Sequence, residues 1–205
     1  MVRARLWRAD SPILLASTST TRRLLLEAAG LPVDTEPSGI DERSLQGELG
    51  YVAPTEIVSS LAKAKAIAVS ERRPDRIVIG ADQILELDDR VFGKAGDASE
   101  ARRQLACFVG RTHTLVSAVA IARGGRIEFC CADRAALTMR ALCEAEIAGY
   151  VALAGAAATR SVGCYEAEGL GLHLFDRIEG EHSTILGLPM LPLLAELRRM
   201  GLLGL

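Results

Sequence analysis

Short apolar runs that close on small or polar residues alternate along this chain with stretches where apolar side chains return every three or four positions. These are the periods of buried strands and amphipathic helices. Ile13 to Ser17 predicts a short buried strand, followed by the hydroxyl-rich turn Ser17-Thr-Ser-Thr-Thr21 and a helix from about Arg22 to Ala29, with Gly30 as its left-handed stop. Pro54 to Ser70 carries Ile57, Leu61, Ala64 and Ala68 at helical spacing and predicts a second helix, which bears Lys63 and Lys65. Ile77-Val-Ile-Gly-Ala-Asp82 is a β-branched run that stops on a small-residue step and a carboxylate, so a buried strand is expected to finish at Asp82. Asp97 or Ser99 is suited to cap a third helix through Ala101, Leu105 and Phe108, ending near Gly110. Thr112 to Arg123 and Arg126 to Thr138 read as paired strands joined through Gly124-Gly125, a strong hairpin signal. Glu144 to Leu153 is expected to be helical, Gly169-Leu-Gly-Leu-His-Leu-Phe175 to be a strand, and Met190 to Met200 to form a closing helix that starts near Pro189.

Strands and helices therefore interleave throughout, with no repeats and no linker rich in Pro, Gly or Ser. The expected fold is α/β with a mixed sheet, in a single domain over residues 1–205. That length buries a substantial core without disulfide or metal staples. A net charge of −2 gives no general attraction to nucleic acid or an anionic membrane, so any anion must be held by a local pocket. No stretch reaches membrane-spanning length, and the basic run Met1 to Arg8 lacks the apolar core and cleavage site of a leader, so the cytoplasm is the expected compartment. Cys107, Cys130, Cys131, Cys143 and Cys164 are odd in number and lack CxxC spacing, which argues against a disulfide framework or a zinc cluster. They are expected to be reduced, mostly core thiols, none in a His or helix-start setting that lowers a thiol pKa.

Several groups could carry chemistry. At the carboxyl end of a buried strand Asp82 would face a ligand crevice, with Lys94 supplying a cation nearby in sequence; the bland alternative is a turn cap and a surface lysine. Ser17-Thr-Ser19 with Arg22-Arg23 at a helix start offers N–H groups, hydroxyls and guanidiniums to a phosphate, although the pattern is not a Walker loop. Basic residues in a first turn oppose the helix dipole, and a bound anion would relieve that penalty. Asp41-Glu42, read as paired acids in a loop, suits a divalent cation, or else is simply solvated. Lys63 and Lys65, two apart on a helix, point to different faces, so only one is expected to reach a common site. Glu168, before Gly169, could accept two parallel hydrogen bonds from the N1–H and N2–H₂ edge of guanine, where an amide would suit uracil or thymine. His113, His173 and His182 show no metal-ligand spacing and are read as structural.

In order along the chain, Leu15-Ala-Ser-Thr-Ser19 with Arg22-Arg23, Asp41-Glu42, Leu61-Ala-Lys-Ala-Lys65-Ala, Ile79-Gly-Ala-Asp82, Gly93-Lys94, Gly110-Arg-Thr-His113 and Ile185-Leu-Gly-Leu-Pro189 closely resemble the Maf family of nucleoside triphosphate pyrophosphatases. The resemblance implies a mixed, twisted α/β sheet in two lobes around a deep cleft, similar to inosine triphosphate pyrophosphatases, and cleavage of a nucleotide to its monophosphate and pyrophosphate. It implies a divalent cation, Mg²⁺ or Mn²⁺, held by Glu42, Asp82 or both, and a homodimer. Asp82 matches the family's proton acceptor; Ser17, Arg22, Glu42, Lys65 and Lys94 match its phosphate- and metal-handling positions. Thr21, Gln83 and Glu168 match its specificity positions. Asp82-Gln83 and Glu168-Gly169 resemble the subgroup acting on 7-methyl-GTP, whereas the dTTP/UTP subgroup carries Asp-Thr and Gln-Gly. This chain departs from that subgroup's pattern at Thr20-Thr21, where Pro-Trp is often found, and from the usual proline after the lysine at Ala95. The alternatives are a dTTP/UTP pyrophosphatase and a nucleotide-sensing regulator of division or septum formation without useful turnover.

Overall fold

The computed structural model describes residues 6–50 and 52–204. Most of the basic N-terminal run read above thus lies outside the described residues. The elements in chain order are β1 (Ile13–Leu15), α1 (Thr20–Ala28), β2 (Val33–Thr35), α2 (Glu42–Leu49), α3 (Pro54–Arg72), β3 (Val78–Leu87), β4 (Arg90–Phe92), α4 (Ala98–Phe108), β5 (Thr112–Arg123), β6 (Arg126–Met139), α5 (Glu144–Ala154), α6 (Ala157–Arg160), a short 3-10 helix (Leu170–Leu174), β7 (Phe175–Glu179), α7 (His182–Ile185) and α8 (Met190–Arg199). The strands make one mixed sheet in the order β2-β1-β3-β5-β6-β7, with β4 paired to β3. β1 runs parallel to β2 and β3, through Ile13↔Val33 and Leu14↔Val78. β4 and β7 pair antiparallel with β3 and β6. This is the α/β mixed sheet expected from the interleaved periodicities. Among the described residues no helix is long and apolar enough to cross a membrane.

The chain divides into two compact units. The first comprises Met1–Asp82, Ser117–Asp133 and Gly187–Leu205, and the second Gln83–Val116 and Arg134–Leu186. Each has its own core. In the first, Ile13, Leu15, Leu26, Ile79, Ile121, Leu188, Leu193 and Leu197 pack together. In the second, Leu85, Leu105, Phe108, Leu115, Leu137, Met139, Tyr165 and Leu174 do so.

Local sequence explains most boundaries. α1 begins two residues before the expected start because Ser19, accepting from the Arg22 N–H at 3.3 Å, is the N-cap. Gly30, with φ of 76°, ends that helix as expected. Asp97 caps α4 by accepting from the Glu100 N–H at 2.7 Å. Gly124 and Gly125, at φ 55° and 76°, form the primed turn of the β5–β6 hairpin.

Four expectations are corrected. β3 does not stop at Asp82 but continues to Leu87, because Ile84, Leu85 and Leu87 keep it buried beyond the polar pair Asp82-Gln83. Asp41 and Glu42 are not a loop pair: Asp41 caps α2, accepting from the N–H groups of Arg43 and Ser44 at 3.1 Å, and Glu42 is its first helical residue. Gly169–Leu174 is not a strand, and β7 begins only at Phe175. The amides of Gly169 and Gly171 both turn back onto the Glu166 carbonyl at 3.1 Å, and Leu170 and Leu172 are exposed rather than buried on one face. All five thiols are free, but only Cys164 is buried, and Cys143 stands at the N-cap of α5, a helix start after all.

Candidate active site

The first unit assembles a polar cluster around Asp82. Its foundation is a contact between backbones. A Cβ added at Gly80 would stand 2.1 Å from the Ala62 carbonyl oxygen and 2.9 Å from the Ala66 Cβ, so only glycine at this point of β3 allows the approach. Asp82 lies two residues beyond Gly80, on the same face of the strand, and Lys65 lies between Ala62 and Ala66 on the facing helix. The Lys65 Nζ donates to Asp82 Oδ1 at 2.6 Å and pairs with Glu42 Oε1 at 2.9 Å. Lys65 and Asp82 are buried, whereas Glu42 is half exposed. Lys63 is exposed, as the two-residue spacing required.

Arg22 completes the cluster. Its Nη1 donates to the Ala81 carbonyl and its Nε to the Gly187 carbonyl, both at 2.8 Å. Burial pushes the guanidinium below its usual range, and the Asp82 and Glu42 carboxylates push it back. For Asp82 burial is the largest influence and raises its carboxyl, against the opposing pull of Lys65 and Arg22; Glu42 adds a smaller upward push. The net direction is upward, the direction that suits a proton acceptor working near neutral pH.

The remaining predicted residues fall into two sets. Ser17, two residues past β1, accepts from the Ser19 N–H at 3.1 Å and so shapes the turn into α1; Thr21 is half-buried beside Arg22 in the first turn of that helix. Arg23 is not part of the cluster, because it pairs with Glu27 one turn along α1 at 2.8 Å. Gln83, Lys94 and Glu168 belong to the second unit. The Gln83 side-chain amide donates to the carbonyls of Thr184 and Ile185 at 3.1 and 3.0 Å, so its NH₂ group holds backbone. Lys94 is exposed and its backbone bridges to Val162; Glu168 is exposed in the turn that precedes the 3-10 helix. Ala95, despite the missing proline, is buried.

Two contributors carry little signature in the sequence. Gly187 sits in the quoted Ile185-to-Pro189 motif, yet its role is a carbonyl for Arg22, and a carbonyl carries no side-chain signature. Gly80 was visible as a small residue in a greasy strand; pairing it with the alanines of Leu61-Ala-Lys-Ala-Lys65-Ala would have suggested a close helix–strand crossing.

His113 confirms its structural reading. It is buried in the second unit with Nε2 hydrogen bonded to the Tyr165 hydroxyl at 2.6 Å, and its ring packs against Phe108, Tyr165 and Phe175. Its Nδ1 is buried without a partner, and burial pushes its pKa from 6.5 to about 4.

Among the described residues no group of three or more His, Cys, Asp or Glu side chains could hold a metal ion. The donor set around Asp82 is smaller but suitable. Asp82 and Glu42 are hard oxygen donors brought to one point by their common partner Lys65. Mg²⁺ and similar ions commonly use one or two carboxylates and take the rest of their shell from water and substrate phosphates. The pair therefore fits such a cation when a phosphate ligand accompanies it.

Comparison with known proteins adds an independent line. The sequence pattern of the family described as Maf-like protein matches residues 12–200. A nucleoside triphosphate pyrophosphatase of Rhodopseudomonas palustris is 50% identical over 199 residues, covering 97% of this chain and 98% of the relative. A 7-methyl-GTP pyrophosphatase of Mesorhizobium japonicum is 48% identical over 191 residues, covering 92% and 96%. Among solved structures, a HAM1 protein from Coxiella burnetii is 14% identical, with a TM-score of 0.41 over 62% of this chain and 72% of its own.

Proposed function

The chain belongs to the Maf-like protein family, and on that premise we propose that it hydrolyses nucleoside triphosphates to the monophosphate and pyrophosphate, with 7-methyl-GTP the favoured substrate. The observation that carries the reading is the buried Asp82 carboxylate fixed by Lys65 beside Glu42 and Arg22. A nucleotide-binding protein needs cations for phosphate, but it does not need a buried carboxylate held for proton transfer.

In the mechanism, the Asp82 carboxylate orients a water and takes its proton as the oxygen attacks the α-phosphorus. The bond from the α-phosphorus to the α,β-bridging oxygen breaks, and pyrophosphate leaves. Lys65 and Arg22 oppose the upward push of burial on the Asp82 carboxyl and stabilise the negative charge that develops on the phosphates. The Arg22 guanidinium is oriented in advance by the Ala81 and Gly187 carbonyls, so little ordering is left for the substrate to impose. Glu42 and Asp82 would hold the divalent cation, Mg²⁺ or Mn²⁺, which when bound neutralises phosphate charge. Ser17 and the first turn of α1 receive phosphate oxygens, with Thr21 alongside. Lys94 is assigned to phosphate and Glu168 to the base by their match to the family pattern.

The 7-methyl-GTP preference rests on Glu168 and on one relative's activity. A carboxylate accepts from the guanine edge and favours the extra positive charge of a 7-methylated ring. Gln83 would contribute by holding the Thr184–Ile185 backbone rather than by offering its amide to a base. Pyrophosphate release from 7-methyl-GTP, GTP, UTP, dTTP and CTP, measured side by side, tests both levels. The expected result is a clear lead for 7-methyl-GTP. A lead for UTP or dTTP would remove the Glu168 assignment, and no release from any nucleotide would remove the catalytic reading.

A further inference from the structure

The ammonium of Lys65 sits where a cation shared by Glu42 and Asp82 would sit, 2.9 Å from one carboxylate oxygen and 2.6 Å from the other. The cluster is also balanced. Lys65 and Arg22 supply two positive charges, and Glu42 and Asp82 two negative ones. A divalent ion arriving alone must break a buried ion pair and leave an excess of positive charge at a site that solvent screens poorly. A metal–triphosphate complex is itself an anion. It brings oxygen ligands for the metal and, at the same time, a new partner for the released lysine and for Arg22.

Resting on the pyrophosphatase reading for the identity of the phosphate ligand, we propose that Lys65 is the placeholder for the metal in the nucleotide-free protein, so that the divalent cation enters with the nucleotide and not before it. Lys65 then has two successive partners: the Glu42–Asp82 pair at rest and the phosphate chain in the complex. The arrangement keeps two carboxylates assembled on one ammonium without a resident metal. It also makes Lys65, by leaving, the step that admits the cation.

The test is Mn²⁺ binding to the nucleotide-free protein, followed by the electron paramagnetic resonance of free Mn²⁺ at neutral pH. Native protein is expected to bind Mn²⁺ only weakly, with a dissociation constant of about 1 mM or above, and Lys65→Met to bind at least about tenfold more tightly. Lys65→Arg, which keeps the charge, should remain weak, and adding Glu42→Gln to Lys65→Met should abolish the gain. Micromolar Mn²⁺ binding by the native protein overturns the proposal even if Lys65→Met fails to fold. So does a folded Lys65→Met whose Mn²⁺ affinity is unchanged. These readouts need no turnover: a tightened Lys65→Met together with a native protein that releases no pyrophosphate would keep the placeholder and discard the enzyme.

Discussion

Burial penalises the charged form in both units, but only in the first do charged partners oppose it. In the first it falls on Asp82, whose carboxyl it pushes up, but a buried ammonium at 2.6 Å and the guanidinium of Arg22 push back. In the second it falls on His113, and no charge opposes it, so the ring is held neutral with a pKa of about 4. The aromatic neighbours of His113 supply packing and one hydroxyl, whereas the neighbours of Asp82 supply charge. Whether the push of burial on a titratable group is opposed is thus decided by its partners rather than by its depth. Asp82 and His113 have nearly the same claim to attention on burial alone.

The most severe way to break the contrast is to remove the charge of Asp82. Asp82→Asn, with circular dichroism unchanged, should lower pyrophosphate release by roughly a hundred- to ten-thousand-fold, and near-normal turnover would exclude Asp82 as proton acceptor. A less direct break leaves every polar group in place and moves the scaffold. Gly80→Ala drives a methyl into the backbone of α3 and should cost about 1–3 kcal/mol in thermal or denaturant unfolding, with activity falling as Lys65 is carried away from Asp82. Unchanged stability would mean that the helix yields easily and that the close crossing does not fix the lysine.

The His113 side of the comparison is read by pH. Its folded pKa is depressed, so between 6.5 and about 4 the unfolded chain binds more protons, and stability falls as the pH is lowered through that window before levelling below it. The depression corresponds to about 3 kcal/mol. Chemical denaturation at pH 7 and pH 4.5 should show a loss that shrinks in His113→Gln. An equal pH dependence in that variant would assign the loss to other groups. The smallest expected effect concerns the base. Glu168→Gln should shift the ratio of kcat/KM for 7-methyl-GTP over UTP by about tenfold toward UTP, with the fold untouched because Glu168 is exposed.

Much of this contrast could be read before any fold was known. Asp82, Lys65, Glu42 and Arg22 all stand out in the sequence, the first because a greasy run that closes on a carboxylate needs a reason. The spacing of Lys63 and Lys65 allows only one of them to face a common point, and it is Lys65 that meets Glu42 and Asp82. Other features were misread where local pattern and three-dimensional context diverge. Alternating Gly and Leu over residues 169–174 imitates a strand, but the chain curls around the Glu166 carbonyl instead. Asp41 and Glu42 look equivalent in sequence; helix capping takes the first and leaves the second for Lys65. Gln83 carries an amide suited to reading a base, yet two backbone carbonyls claim its NH₂ group.

What the sequence determined by itself is what short-range physics controls: the periodicities of the main helices and strands, the glycine turns and stops, and the inventory of charged groups that phosphate chemistry requires. Tertiary structure alone decided which charges meet. Lys65 and Asp82 are distant in sequence, and their contact depends on a helix backbone lying against Gly80, while Arg22 is oriented by carbonyls from Ala81 and Gly187 that no side chain announces. Periodicity fixes the face on which a residue lies. Which face it meets is settled only by packing, because long-range contacts are chosen by the fit of whole surfaces and not by the residues that finally touch.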